Sequence, residues 1–142
     1  MGLTIRCKKT GRAIDMGYGG FFNLRCQVAE LCGKTIGDHY NAMRYAPFLS
    51  PAREEYFTEY DRRTEQLVND GTLDIKIADF LYQSDCEGRI RYGACKNLLK
   101  AIGDYDDDVI YGYAGWKHPA MFRDFVAILK DCVKNRCDMI WD

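Results

Sequence analysis

The stretch from Asp74 to Ile102 constrains the fold more than any other part of the chain. Ile75, Ile77, Ala78, Phe80 and Leu81 form a dense apolar segment. Tyr92, Cys95, Leu98, Leu99 and Ile102 then recur at steps of three and four, which places them on one face of a helix. Gly103 follows the last apolar position as a helix stop. Between the two segments lie Ser84-Asp85-Cys86-Glu87-Gly88. Short acidic side chains bond their own backbone in such turns, and Gly88 is expected to supply a positive φ. The stretch predicts two packed helices joined by a tight loop.

The loop invites comparison with a calcium-binding EF-hand, which needs acids at its first, third and fifth positions, glycine at the sixth and a bidentate Glu at the twelfth. Asp85, Glu87 and Gly88 fall on the third, fifth and sixth, but Gln83 holds the first and Ala94 the twelfth. Two carboxylates cannot supply the oxygens calcium requires, so a metal-free turn is expected.

On either side of this unit the chain alternates between strand and helix patterns. Leu3, Ile5 and Cys7, then Ile14 and Met16, alternate with polar residues around Lys9-Thr10-Gly11, which predicts an N-terminal hairpin. A helix is expected from about Phe21 to Cys32, with Leu24, Val28, Leu31 and Cys32 inward and Gly33 as its stop. Thr35 to Tyr45 reads as a short helix ended by Pro47. Ser50-Pro51 reads as an N-cap with proline at the first helical position, opening a helix to about Asn69. Asp104 to Asp108 is an acidic link, and Val109 to Tyr113 a short strand. Pro119 is expected to open the last helix, whose Phe122, Phe125, Val126, Leu129, Cys132 and Val133 give the clearest amphipathic pattern in the chain. No repeat or linker interrupts residues 1–142. The expected architecture is one α+β domain, mostly helical, with a small antiparallel sheet near the N-terminus.

Charge is balanced, at 20 Lys+Arg against 21 Asp+Glu, which argues against duplex nucleic acid or an anionic membrane as partner. No apolar run approaches the length of a membrane span. Charges at Arg6, Lys8 and Lys9 argue against a secretory leader. The cysteine count is odd, at seven, and no Cys-x-x-Cys occurs. Reduced thiols in a cytoplasmic protein are therefore expected, with neither a metal nor a cofactor site.

Two stretches are candidate binding sites. Gly17-Tyr18-Gly19-Gly20-Phe21 leads from strand into helix, where free backbone N–H groups meet the positive end of the helix dipole. Arg25 lies one turn further on, so Gly19, Gly20 and Arg25 could hold a phosphate. The plainer reading is a tight turn that needs glycine. Tyr113, Trp116 and His118 belong to a glycine-punctuated aromatic loop that could stack a base, the plainer reading being a cover for the core. Catalytic constellations are poor. His39 and His118 are far apart in sequence, and Cys86 sits between two acids that blunt it.

The opening Met-Gly-Leu, the run Gly17-Tyr18-Gly19-Gly20-Phe21-Phe22-Asn23-Leu24-Arg25 and Ser84-Asp85-Cys86-Glu87-Gly88 resemble a family of small uncharacterised bacterial and phage proteins. That resemblance implies no activity. Its phage context suggests a sponge that sequesters a linear or cyclic nucleotide immune signal. The leading expectation is thus non-enzymatic binding of a small phosphorylated ligand, with a homo-oligomer compatible with it. A protein-interaction module that inhibits a host protein is the first alternative, and a metal-dependent phosphodiesterase the second.

If the central loop is a metal-free turn, micromolar calcium should leave the melting temperature unchanged. A ligand that binds only the folded state at a hundredfold over its Kd adds about 2.7 kcal/mol, so a stabilisation of that size would contradict the ligand count.

Overall fold

A computed structural model describes residues 2–142; the Met1 of the opening Met-Gly-Leu lies outside them. The two alternating N-terminal runs form β1 (Gly2–Cys7) and β2 (Ala13–Gly17), an antiparallel hairpin with Ile5 opposite Ile14. Then come α1 (Tyr18–Cys32), α2 (Lys34–Asn41), a 3-10 turn at Ala42–Tyr45, α3 (Arg53–Asn69) and α4 (Ile75–Tyr82). The chain closes with β3 (Gly88–Ile90), α5 (Tyr92–Ile102), β4 (Gly112–Tyr113), β5 (Pro119–Ala120), α6 (Phe122–Asn135) and β6 (Met139–Trp141). The fold is a mixed α+β one, with helices packed on a six-stranded antiparallel sheet of order β3-β6-β1-β2-β4-β5.

Burial alternates along β1, β2 and β6, so one sheet face is covered and the other is not. Leu3, Ile5, Cys7, Ile14, Met16, Met139 and Trp141 point into a core shared with Phe21, Leu24, Phe80, Leu98, Phe122, Phe125 and Leu129. Phe125 is fully buried, as the periodicity of the last helix requires. The open face carries an ion pair between Arg6 and Asp142.

Several boundaries differ from the sequence reading, each for a physical reason. The central loop contains β3, and Gly88 has no positive φ. Glycine is needed there because a Cβ would overlap the Trp141 ring. Helix α1 begins at Tyr18, so Gly19 and Gly20 lie in its first turn, not in a preceding loop. A Cβ on Gly20 would overlap the Tyr111 carbonyl, while at Gly19 it would meet nothing. Ser50 does not cap α3. Its hydroxyl accepts from the Ala52 N–H inside a turn, and the helix starts at Arg53. Pro119 belongs to β5, so residues 114–118 close a β4-β5 hairpin. Helix α6 starts at Phe122, with the Asp124 carboxylate accepting from the Met121 N–H at 2.7 Å. Tyr92 and Ile75, expected inside, are exposed. Strand β6 is an addition: the C-terminal residues pair with both β1 and β3.

The two glycine environments predict substitutions of opposite sign. Gly88→Ala should destabilise by about 1–3 kcal/mol through overpacking. Gly19→Ala should stabilise by roughly 0.5–1 kcal/mol, because it gains helix propensity in open space. Urea denaturation checks both; a stabilised Gly88→Ala would show that the Trp141 contact is not tight.

Candidate functional site

Tyr18, Phe21, Phe22 and Arg25 are spaced by three and four residues, so they share one face of α1. That face lines a pocket of ≈ 230 Å³. Tyr40 of α2, Met43 of the 3-10 turn, Phe48, the end of α4 at Leu81 and Tyr82, and the loop residues Gln83 and Asp85 complete it. Trp141 fixes this loop, its indole Nε1–H donating to the Ser84 carbonyl at 2.9 Å.

Arg25 is the unusual residue of the pocket. It is only 4% exposed, and the sole charged side chain buried among the described residues. Its guanidinium stacks on Phe21 with Cζ 4.0 Å from the ring centre, and lies 5.6 Å from each of Phe80 and Trp141. Cation–π attraction offsets part of the desolvation cost. The hydrogen bonding is thin. Nη2 donates to the Ser84 carbonyl across a long 3.5 Å, and the buried Nε–H has no partner. No carboxylate forms a salt bridge with Arg25 among the described residues. Burial lowers the Arg25 pKa, while the Tyr40 phenol and then Asp85 act against it. Arginine still keeps its charge in proteins. Burial raises the Tyr40 pKa, so its hydroxyl stays protonated beside the guanidinium.

Asp85 is exposed at the rim. Behind Tyr82, hydroxyls continue inward: Tyr82 Oη lies 3.0 Å from Tyr60 Oη, which donates to the His39 carbonyl at 2.8 Å. The pocket therefore offers a buried cation, aromatic walls, neutral phenols and one carboxylate at its edge. Such a lining suits an anion that carries a flat or hydroxylated body.

The structure brings some of the expected site residues together and separates others. Tyr18, Phe21 and Arg25 share the pocket. Gly17 is the N-cap of α1 and lines a shallow groove with Tyr113 across β1, β2 and β4. Gly20 faces the Tyr111 carbonyl, about 140° around the helix from Arg25 at 3.6 residues per turn. Gly19 is exposed. Trp116 is 88% exposed, with Lys117 Nζ 5.0 Å from its ring, and His118 is exposed on the same hairpin loop. The phosphate and base contacts expected from one composite site thus lie in different places. Tyr40, Phe48, Tyr82 and Asp85 are among the pocket-lining residues that sequence reasoning missed. No local spacing connects them.

Histidine chemistry is not assembled. His39 stacks on Tyr60 with ring centres 4.0 Å apart, and its Nε2 meets the Thr64 hydroxyl at 2.7 Å. Burial lowers its pKa. In the acidic link, Asp107 pairs with Arg123 and accepts from the Arg123 backbone N–H. Three of the cysteines, Cys7, Cys132 and Cys137, converge although no Cys-x-x-Cys links them in sequence. No helix among the described residues is long and apolar enough to cross a membrane. No family model, curated protein or solved structure matches the chain.

Arg25→Met tests whether the buried charge serves the fold. An apolar replacement removes an ill-satisfied charge, so stability by urea denaturation should stay within about 1 kcal/mol of wild type or rise. A loss of about 3 kcal/mol or more would make the guanidinium stack a structural clasp.

Proposed function

We propose that the protein binds, without turning it over, a small phosphorylated ligand whose anionic group pairs with Arg25. The supporting observation is a buried guanidinium that lines a pocket with its Nε–H unbonded and no carboxylate partner among the described residues. Leaving such a group unsatisfied costs stability, and an oxyanion would supply charge-assisted bonds that the protein does not. Tyr18, Phe22 and Tyr40 form flat walls for an attached ring, and Asp85 accepts from hydroxyl or amino donors at the rim. A nucleotide has all three features. Sequestration of a signalling nucleotide is a use that fits binding without catalysis.

A second reading has its own observation. Tyr45, Phe48 and Leu49 are exposed on one segment beside a larger apolar pocket of ≈ 530 Å³ formed around Tyr56 and Tyr60. Exposed aromatics of this kind mark protein-contact surfaces, as an inhibitor of a host protein would need.

Calorimetry against inorganic phosphate and a panel of linear and cyclic nucleotides separates the two. At least one nucleotide should bind the wild type, and Arg25→Met should weaken it by about 1.5–3 kcal/mol, the range for hydrogen bonds to charged groups. Trp116→Ala should leave binding unchanged, since Trp116 does not line the pocket. Absence of binding by any phosphorylated compound would reject the ligand reading in favour of the protein-contact surface.

A further inference from the structure

Three cysteines distant in sequence meet where both ends of the chain join the sheet. Cys7 ends β1, Cys132 lies in the last turn of α6, and Cys137 follows the left-handed residue Arg136 that ends this helix. The Cys137 N–H donates to the Cys132 carbonyl at 3.1 Å, so the helix end holds these two cysteines in a fixed relation. The three sulfurs all lie within 4.8 Å of one another, with Cys7 Sγ and Cys137 Sγ 3.4 Å apart. A zinc–sulfur bond of about 2.3 Å places tetrahedral thiolates about 3.8 Å from each other, between those two distances.

The surroundings leave the cluster open to an ion on one side. The Cys132 thiol donates to the Asp138 carbonyl at 3.5 Å, a bond given up when the thiol loses its proton. Cys7 and Cys132 are buried, whereas Cys137 is half-buried and gives an ion a way in. Three sulfurs from separate segments of the chain thus sit within reach of a single ion.

We propose that Cys7, Cys132 and Cys137 form a binding site for a thiophilic d10 metal ion of the zinc class, which clamps the end of β1 to the end of α6. Soft thiolate ligands select such ions. Each coordinating thiol loses its proton to solvent as the ion binds, so affinity grows with pH. The site is separate from the Arg25 pocket, and neither depends on the other.

The test uses the full-length reduced protein. Titration with Zn2+ against a chromogenic chelator should give one ion per chain, and Co2+ should produce a thiolate-to-cobalt charge-transfer band. Cys7→Ser and Cys132→Ser should each weaken Zn2+ binding at least tenfold, while Cys26→Ser, outside the cluster, should not. Because buried serines can disturb folding, alkylation of the wild type supplies a second readout. Zn2+ should slow iodoacetamide modification of Cys137 at least tenfold by peptide mass spectrometry, and leave exposed Cys86 unaffected. The proposal is overturned if the reduced chain takes up no stoichiometric zinc, or if Cys137 alkylates equally fast with and without it. It is equally overturned if the only product is a Cys7–Cys137 disulfide whose reduction restores no metal uptake.

Discussion

The indole of Trp141 occupies the point on which three otherwise separate parts of the chain depend. Strand β6 inserts between β1 and β3, so the last residues complete a sheet that the first residues begin. The ring packs against Phe21 of α1 at 5.7 Å and Phe80 of α4 at 5.8 Å. Gly88 passes directly beneath it, where no side chain fits. Its N–H holds the Ser84 carbonyl. One fully buried side chain thus sets the spacing of helix, sheet and loop. Aromatic contacts of this kind contribute beyond their buried area.

Arg25 follows from that arrangement. Phe21, Phe80 and Trp141 surround the guanidinium with ring faces and edges, and the Ser84 carbonyl and Tyr40 hydroxyl lie beside it. The cluster holds the cation in place but satisfies it only in part, since the backbone in this loop is already committed to the indole. A carboxylate partner would have closed the site. Asp85, the nearby acid, sits exposed at the rim instead. The electrostatic character of the pocket is therefore a consequence of core packing, with one end of the charge cluster left open.

Much of the fold was legible because it follows local periodicity. The N-terminal hairpin and the buried face of α6 required only alternation and steps of three and four. What failed depended on distant neighbours. Gly20 and Gly88 read as turn residues, yet the Tyr111 carbonyl and the Trp141 ring make glycine necessary there. Ser50-Pro51 had the composition of a helix start, but its hydroxyl served a local turn. Strand β6 has only three residues, and its partners come from opposite ends of the sequence. Of the candidate site, Arg25 with Tyr18 and Phe21 was visible because they follow one another in a single short stretch of sequence. Tyr40, Tyr82 and Asp85 were not, because only tertiary packing brings them to that stretch. The converging cysteines were hidden in the same way, since close paired spacing is what sequence inspection detects.

The central claim is that the Arg25 guanidinium is held ready for an anion that the protein does not supply. The most direct measurement is the Nε–H resonance of Arg25 in a 15N-labelled sample, assigned by its absence in Arg25→Met. A buried Nε–H should exchange slowly with water, and it should move to lower field as a phosphorylated ligand is titrated in and a hydrogen bond forms. A resonance that stays fixed throughout saturating titrations with phosphate and nucleotides, or one already shifted as strongly hydrogen-bonded in the free protein, would contradict the account.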